Sequence, residues 1–328
     1  MTPSPLTLNL QSRKFLQLQL GLPGTLLDRF HENRNSIVIE FTQEKYKQGN
    51  PEPKRRDLTS IPYKYKIIHK RINVNLLQKA KLLPGAIGGV KGKKIDDFIN
   101  IHRGAEGYFA FDLKSFFPSI SSGRIYQLFF DSGCTAEIAG FLTEITTFKG
   151  KLTQGFATSV MLANITAHQM DFQLSAMCKE HNLQYSRWVD DVVISGRIKN
   201  LKKVEHLALG YARSNGFELS HGKTSFSPRR SNKPVLGIQI QRNFPSIPDS
   251  YIDQLEADIV SLVEGQYDIL DQIYPGNELK KKKSIQSSIE GKVDHIGKYH
   301  EEIAQRLNQR LLNVNWDELE RFRQSLTC

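Results

Sequence analysis

Cysteine is scarce in this 328-residue chain. Cys134, Cys178 and Cys328 are odd in number and far apart, without the paired spacing of a zinc site or a disulfide framework. A disulfide-built secreted scaffold is excluded on that ground, and a reducing, cytoplasmic compartment is expected. Long apolar runs are missing as well. No stretch approaches the roughly 20 apolar residues of a bilayer-crossing helix, and the N-terminus lacks a basic segment followed by an apolar core, so neither a membrane protein nor an exported one is expected. His and Cys nowhere cluster at ligand spacing, which points away from soft-metal chemistry. Acidic residues are outnumbered, 34 against 45 Lys and Arg, for a formal charge of +11. That surplus favours a polyanionic partner, nucleic acid first, because each cation set against a phosphate releases condensed counterions.

Hydrophobic residues make up 39% of the chain, enough to bury one large core or two to three small ones. Phe15 to Phe30 is amphipathic, and the polar, proline-bearing stretch Gln48–Thr59, with Lys54, Arg55 and Arg56, reads as a basic loop closing an N-terminal lobe. From Ile61 to Ile68, Tyr63, Tyr65 and Ile67 alternate with Lys64 and Lys66, the period of a half-buried strand. Pro84–Gly92 is a Gly-rich loop. Gly107–Leu113 reads as a buried strand that ends at Asp112, and a helix follows at about Ser122–Asp131. Met161, Ile165, Met170, Leu174 and Met177 recur at helical spacing and predict one long helix within Thr158–Lys179. Leu183–Val189 and Val192–Ser195 predict two strands of a tight hairpin with Asp190 and Asp191 at its tip. Lys199–Asn215 is expected to be helical, and Gly222–Pro228 and Pro234–Gln241 to be short strands. Beyond Pro248 come the amphipathic helices Asp249–Glu264, Leu279–Gly297 and Tyr299–Val314, the last with Ile303, Leu307 and Leu311 at four-residue intervals.

A carboxylate at a strand end and a carboxylate pair on a rigid hairpin suit a two-metal phosphoryl-transfer site. There two hard divalent ions about 3.5–4 Å apart are held by fixed oxygens. An Asp-Asp dipeptide alone carries little weight, since Asp96-Asp97 is a second one in the same chain. What separates Asp190-Asp191 from it is a position between two apolar runs, where paired carboxylates are costly to hold without a cation.

The ordered segments FAFDLKSFFPSI, QGFATSVMLANI, WVDDVVISG, HGKTSFS and VLGIQI, spread over about Lys91 to Gln241, resemble the palm motifs of reverse transcriptases. The double aromatic after Asp112 and His102 before it are most similar to the bacterial retron and related antiphage-defence group. The resemblance implies an α+β right-hand polymerase fold. Residues 1–106 would be the N-terminal region and fingers, 107–245 a palm built on an antiparallel sheet with fingers elements interleaved near 122–160, and 246–328 a helical thumb. It also implies an RNA-directed DNA polymerase with two Mg²⁺ ions (or Mn²⁺) held by Asp112, the Leu113 carbonyl, Asp190 and Asp191.

Carried over in the same way, Phe117 is the aromatic gate against a 2′-hydroxyl, and Gln154, Gly155 and Asn164 lie at the incoming nucleotide. Lys223 stands near the triphosphate as a proton donor, and Lys64, Lys66, Lys70 and Arg71 are phosphate contacts. Trp188, Leu236 and Gly237 form the primer grip, and Lys280, Lys281, Lys282 and Lys283, with Lys292 and Lys298, follow the nucleic-acid backbone. The implied partners are an RNA template or dedicated noncoding RNA, a DNA primer or product, dNTPs and an accessory defence protein. The chain departs from the family pattern at Trp188, where a tyrosine is usual, and at Thr153 and Val160, where prolines are usual. Those departures keep a protein-primed or weakly templated polymerase open, and a silent RNA-binding scaffold is the reading from outside the enzyme class.

Overall fold

The computed structural model describes residues 4–47, 50–220, 222, 224–228, 238–241, 244–267 and 282–325. They fall into two compact units, one drawn from Met1–Phe41 and Asp57–Ser231, the other from Thr42–Arg56 and Asn232–Cys328. The chain is α+β.

The first unit opens with α1 (Arg13–Leu20), whose first turn is capped by the Ser12 hydroxyl accepting from the Phe15 amide, and α2 (Gly24–Ile37). β1 (Ile39–Lys47) and β2 (Asn50–Ser60) form a two-stranded ribbon, most of which (Thr42–Arg56) belongs to the second unit. The expected basic loop at Gln48–Thr59 is therefore largely a strand. Its prolines, Pro51 and Pro53, misled because proline is tolerated on strand edges, and a two-stranded ribbon has only edges. Arg55 donates to Glu44 across the ribbon at 2.8 Å.

The strand expected at Ile61–Ile68 is also overturned, since α3 runs Tyr63–Asn75. Five alternating residues fit either period; what decides is the further run Tyr65, Ile68, His69 and Ile72, buried at i, i+3, i+4 and i+7. Tyr63, which alternation would have buried, is 90% exposed. A 3₁₀ turn (Leu77–Lys79) and the Gly-rich loop lead to α4 (Ile95–His102). There Asp97 accepts from the Lys94 amide at 2.7 Å, so the second Asp-Asp pair serves a helix N-terminus.

β3 (Gly107–Asp112), α5 (Ser122–Asp131), α6 (Ala136–Thr146), α7 (Ser159–Thr166), α8 (His168–Glu180), β4 (Gln184–Trp188), β5 (Asp191–Gly196), α9 (Ile198–Ser214) and β6 (Ser225–Pro228) complete this unit. The single long helix expected over Thr158–Lys179 is two. Ala167 (φ −80°, ψ −2°) breaks it, just after Thr166 bonds back to the Leu162 carbonyl at 2.8 Å, a contact that bends helices.

The sheet order is β4-β5-β3-β6, with β5 antiparallel to β3 and β4, and β3 antiparallel to β6. One hydrophobic core runs from Leu6 to Phe217 through this unit. The second unit has a small β7–β8 ribbon (Gln239–Gln241, Phe244–Ser246) and the helices α10 (Asp249–Val263), α11 (Lys282–Gly297), α12 (Glu301–Leu311) and α13 (Trp316–Ser325). Its own core joins Leu255, Ile259, Ile289, Val293 and Leu307. On α12 the buried stripe is Ala304, Leu307 and Leu311, with Ile303 packed at its margin. No helix among the described residues is long and apolar enough to cross a membrane.

Two histidines sit wholly inside the first unit. His102 is bridged by the Ser195 hydroxyl at Nδ1 (2.7 Å) and the Ser186 hydroxyl at Nε2 (2.6 Å), while His69 lies edge-on to Phe30 and Phe156. Burial pushes both imidazoles down to about 3. The folded values lie below the ordinary 6.5, so below pH 6.5 the unfolded chain takes up protons that the native one refuses. Stability is full above pH 6.5 and falls as pH drops toward 3, by about 1.4 kcal/mol per pH unit for each histidine. Urea midpoints measured from pH 7.5 to 5 should decline accordingly; a flat profile would contradict the buried, neutral assignment.

Candidate active site

The site is built where three strands end together. β3 pairs with β5 so that Asp112 is the register partner of Asp191, and β4 pairs with β5 so that Trp188 is the partner of the same Asp191. Register partners share a sheet face with Cβ atoms about 4.5–5.5 Å apart, so Asp112, Asp191 and Trp188 stand side by side on one face. Val189 and Asp190 make the two-residue turn between β4 and β5. The Leu113 amide donates to the Asp190 carbonyl at 2.9 Å, fastening the tip to the end of β3. Asp112 is 7% exposed and accepts from the Ser220 hydroxyl, while the Ser220 amide donates to the Asp112 carbonyl at 2.9 Å. A cleft of about 540 Å³ beside it is lined by Arg213, Phe217, Leu219, Ser220 and Thr224.

Two carboxylates in direct register repel, and such a pairing costs stability unless something positive lies between them. Carboxylate oxygens are the donors that a hard divalent ion takes. Among the described residues no three His, Cys, Asp or Glu side chains converge tightly enough to cage an ion. A hard ion that keeps waters and takes phosphate oxygens from its substrate needs only one or two carboxylates, and the Asp112–Asp191 pair fits that demand.

The loop at Gln154 and Gly155 is latched to the end of β2. The Thr59 amide and hydroxyl both donate to the Gln154 carbonyl (2.8 and 2.9 Å), and the Thr59 and Thr153 hydroxyls share a bond at 2.9 Å. This hydroxyl pair stands where the family pattern has a proline. Gly155 has φ +112°, and a Cβ there would lie 2.0 Å from the Thr59 carbonyl oxygen, so glycine is required. Phe117 is buried against Phe116, ring centres 5.7 Å apart. Lys64, Lys66, Lys70 and Arg71 all lie exposed on α3.

One expectation needs correction. Asn164 is 1% exposed, its amide donates to the Gly88 carbonyl (2.9 Å) and its oxygen accepts from Arg187 (2.8 Å), so both ends of the amide are taken up inside the protein. Lys292 is partly exposed and lies 3.9 Å from the buried Asp258. Lys223, Leu236, Gly237, Lys280 and Lys281 lie outside the described residues, as do the side chains of Lys282 and Lys283.

Sequence reasoning missed the buried support behind the hairpin. Arg187 and Asp171, both fully buried, form a two-point ion pair (Nε to Oδ1 2.8 Å, Nη2 to Oδ2 2.6 Å), and the Tyr185 hydroxyl donates to Asp171 at 2.6 Å. Burial works to lower the Arg187 pKa, yet the Asp171 carboxylate outweighs it and holds the guanidinium above its ordinary value. The signal was present in the sequence: Asp171 lies on the apolar stripe of Met170, Leu174 and Met177, and a lone carboxylate there requires a partner.

Comparison with known proteins agrees with this geometry. The family model described as reverse transcriptase (RNA-dependent DNA polymerase) matches residues 46–240. The chain is 26% identical over 224 residues to the retron Ec86 reverse transcriptase of Escherichia coli, covering 68% of this chain and 70% of that protein. Against the retron Mx65 reverse transcriptase of Myxococcus xanthus it is 27% identical, covering 57% of this chain and 47% of the relative. Against the retron Se72 reverse transcriptase of Salmonella heidelberg it is 24% identical, covering 71% and 62%. The chain thus spans less than two thirds of two of these three relatives. With the matched region running through the sheet that carries Asp112 and Asp191, the chain belongs to the reverse transcriptase (RNA-dependent DNA polymerase) family.

Proposed function

We propose that this chain copies RNA into DNA by adding dNTPs to a primer 3′ end at Asp112, Asp190 and Asp191. The observation that carries the reading is the register pairing of Asp112 with Asp191 at the end of a buried sheet, next to a tip that carries Asp190. Bound divalent ions, two Mg²⁺ with Mn²⁺ as a substitute, would supply activation of the primer hydroxyl and neutralise charge on the triphosphate. Asp112 and Asp191 would hold them from one sheet face, with Asp190 and the Leu113 carbonyl as the further oxygen donors.

Phe117 packs under the sugar and rejects a 2′-hydroxyl by shape. Gln154 and Gly155, held by Thr59, support the base. Lys223 donates a proton to the departing pyrophosphate. Lys64, Lys66, Lys70 and Arg71 meet phosphates; Trp188, Leu236 and Gly237 grip the primer; Lys280, Lys281, Lys282 and Lys283 follow the duplex. The palm is residues 107–245, preceded by fingers and followed by a thumb. The retron reverse transcriptase names of its relatives support an RNA template and a DNA product; a dedicated noncoding RNA, an antiphage role and an accessory defence protein complete the proposal.

The test is primer extension on a defined RNA template with Mg²⁺. The expected product is DNA whose length follows the template, made from dNTPs and not from rNTPs. In the Phe117→Ala variant, rNTP use should rise by roughly 10–100-fold relative to dNTP use, the scale of a single shape contact. Absence of templated product from every primed RNA, in Mg²⁺ and in Mn²⁺, would sink the reading and favour a silent RNA-binding scaffold.

A further inference from the structure

The turn that carries the aspartate pair has an ill-suited residue at its bend. Val189 adopts φ +59°, and a β-branched side chain is a genuine outlier in that region. Two-residue hairpin turns want φ > 0 at the first central position and usually place Gly, Asn or Asp there. A strained backbone persists only where the surroundings over-determine it.

Here they do. On the sheet face opposite Asp112 and Asp191, two guanidinium nitrogens of Arg187 are spent on Asp171. The third, Nη1, donates to the Val189 carbonyl and to Asn164 Oδ1, both at 2.8 Å. Asn164 in turn donates to the Gly88 carbonyl. Gly88 lies so close to the turn that a Cβ on it would stand 2.5 Å from the Val189 nitrogen. The Gly-rich loop also runs alongside β4: the Arg187 amide donates to the Gly85 carbonyl (2.8 Å) and the Ile87 amide to the Arg187 carbonyl (3.0 Å).

We infer that Arg187 is a positioning residue for the metal-binding tip. Its Nη1 arm fixes the Val189–Asp190 peptide from below, and with it the reach of Asp190 and Asp191 toward Asp112. Asp171 anchors the guanidinium so that this arm is rigid, and Asn164 with the Gly-rich loop closes the other side. The Asp-Asp tip is thereby held before any ion or nucleotide arrives. The metal part of this inference rests on the proposed polymerase reading; the mechanical part does not.

The test is Arg187→Lys, which keeps a cation beside Asp171 but loses the planar fork that serves acceptors on three residues at once. Three quantities are measured on the full chain: hydrogen exchange at the Leu113 amide, which reports the tip through its bond to the Asp190 carbonyl; Mn²⁺ binding by electron paramagnetic resonance; and steady-state primer extension. Expected are at least tenfold faster Leu113 exchange, about tenfold weaker Mn²⁺ binding, and a kcat lowered by about 100-fold with little change in KM for dNTP. Tyr185→Phe is the structural control. It removes a bond to the same Asp171 and leaves the Val189 arm, so it should lower thermal stability without moving Leu113 exchange or Mn²⁺ affinity.

If Arg187→Lys does not fold, Asn164→Ala carries the test, with the Asp171 ion pair intact and a several-fold rise in Leu113 exchange expected. Unchanged Leu113 exchange in a folded Arg187→Lys or Asn164→Ala overturns the inference, as does an equal effect from Tyr185→Phe. Faster exchange in a protein whose parent binds no Mn²⁺ and extends no primer would leave the mechanical role standing and remove the polymerase reading instead.

Discussion

Asp191→Asn should cut primer extension by about 10²–10⁴-fold in a protein that still folds. Losing one carboxylate from an ion site forfeits several kcal/mol of transition-state charge stabilisation, which at 1.36 kcal/mol per tenfold is a rate loss of about 10²–10⁴. Asp112→Asn should behave alike and keep its fold, since an asparagine oxygen can still accept from the Ser220 hydroxyl. A cooperative thermal transition retained in both variants separates a lost rate from a lost fold. Asp96→Asn is the control within the chain: it belongs to the other Asp-Asp pair, in the first turn of α4, and should extend primers normally. Parental rates in Asp191→Asn and Asp112→Asn would remove both residues from the chemistry.

The sheet was legible in the sequence because its strands are bounded on both sides by polar turns and their apolar runs are too short for helices. Gly107–Leu113 and the two runs around Asp190-Asp191 are of this kind, and register then followed from a two-residue turn. Ile61–Ile68 failed because its five alternating residues, Tyr63 to Ile67, sample less than two helical turns, and the decisive buried members, His69 and Ile72, lie beyond that window. Asn164 failed for another reason. Motif position fixes where on α7 it sits, but whether its amide turns to a ligand or to Gly88 and Arg187 depends on partners more than twenty residues away along the chain.

The Asp171–Arg187 pair should show how stability and positioning come apart. Asp171→Leu strands a fully buried guanidinium, and breaking a buried ion pair from one side costs about 3–5 kcal/mol. For a unit of this size that lowers the thermal midpoint by on the order of 10 °C. Making the second change as well, Asp171→Leu with Arg187→Met, removes the stranded charge, and such apolar replacements are often neutral or stabilising, so most of the lost midpoint should return. Activity should not return with it. Methionine fills the space beneath Phe116 and the sheet but has no N–H for the Val189 carbonyl, so the strained turn is left without its clamp. A double variant that melts near the parent and still extends primers at the parental rate would mean that the ion pair serves the core alone. One that melts near the parent and is slow by about 100-fold would tie the buried charge to the aim of the aspartates, since the stability is then restored while the hydrogen bond to the tip is still missing.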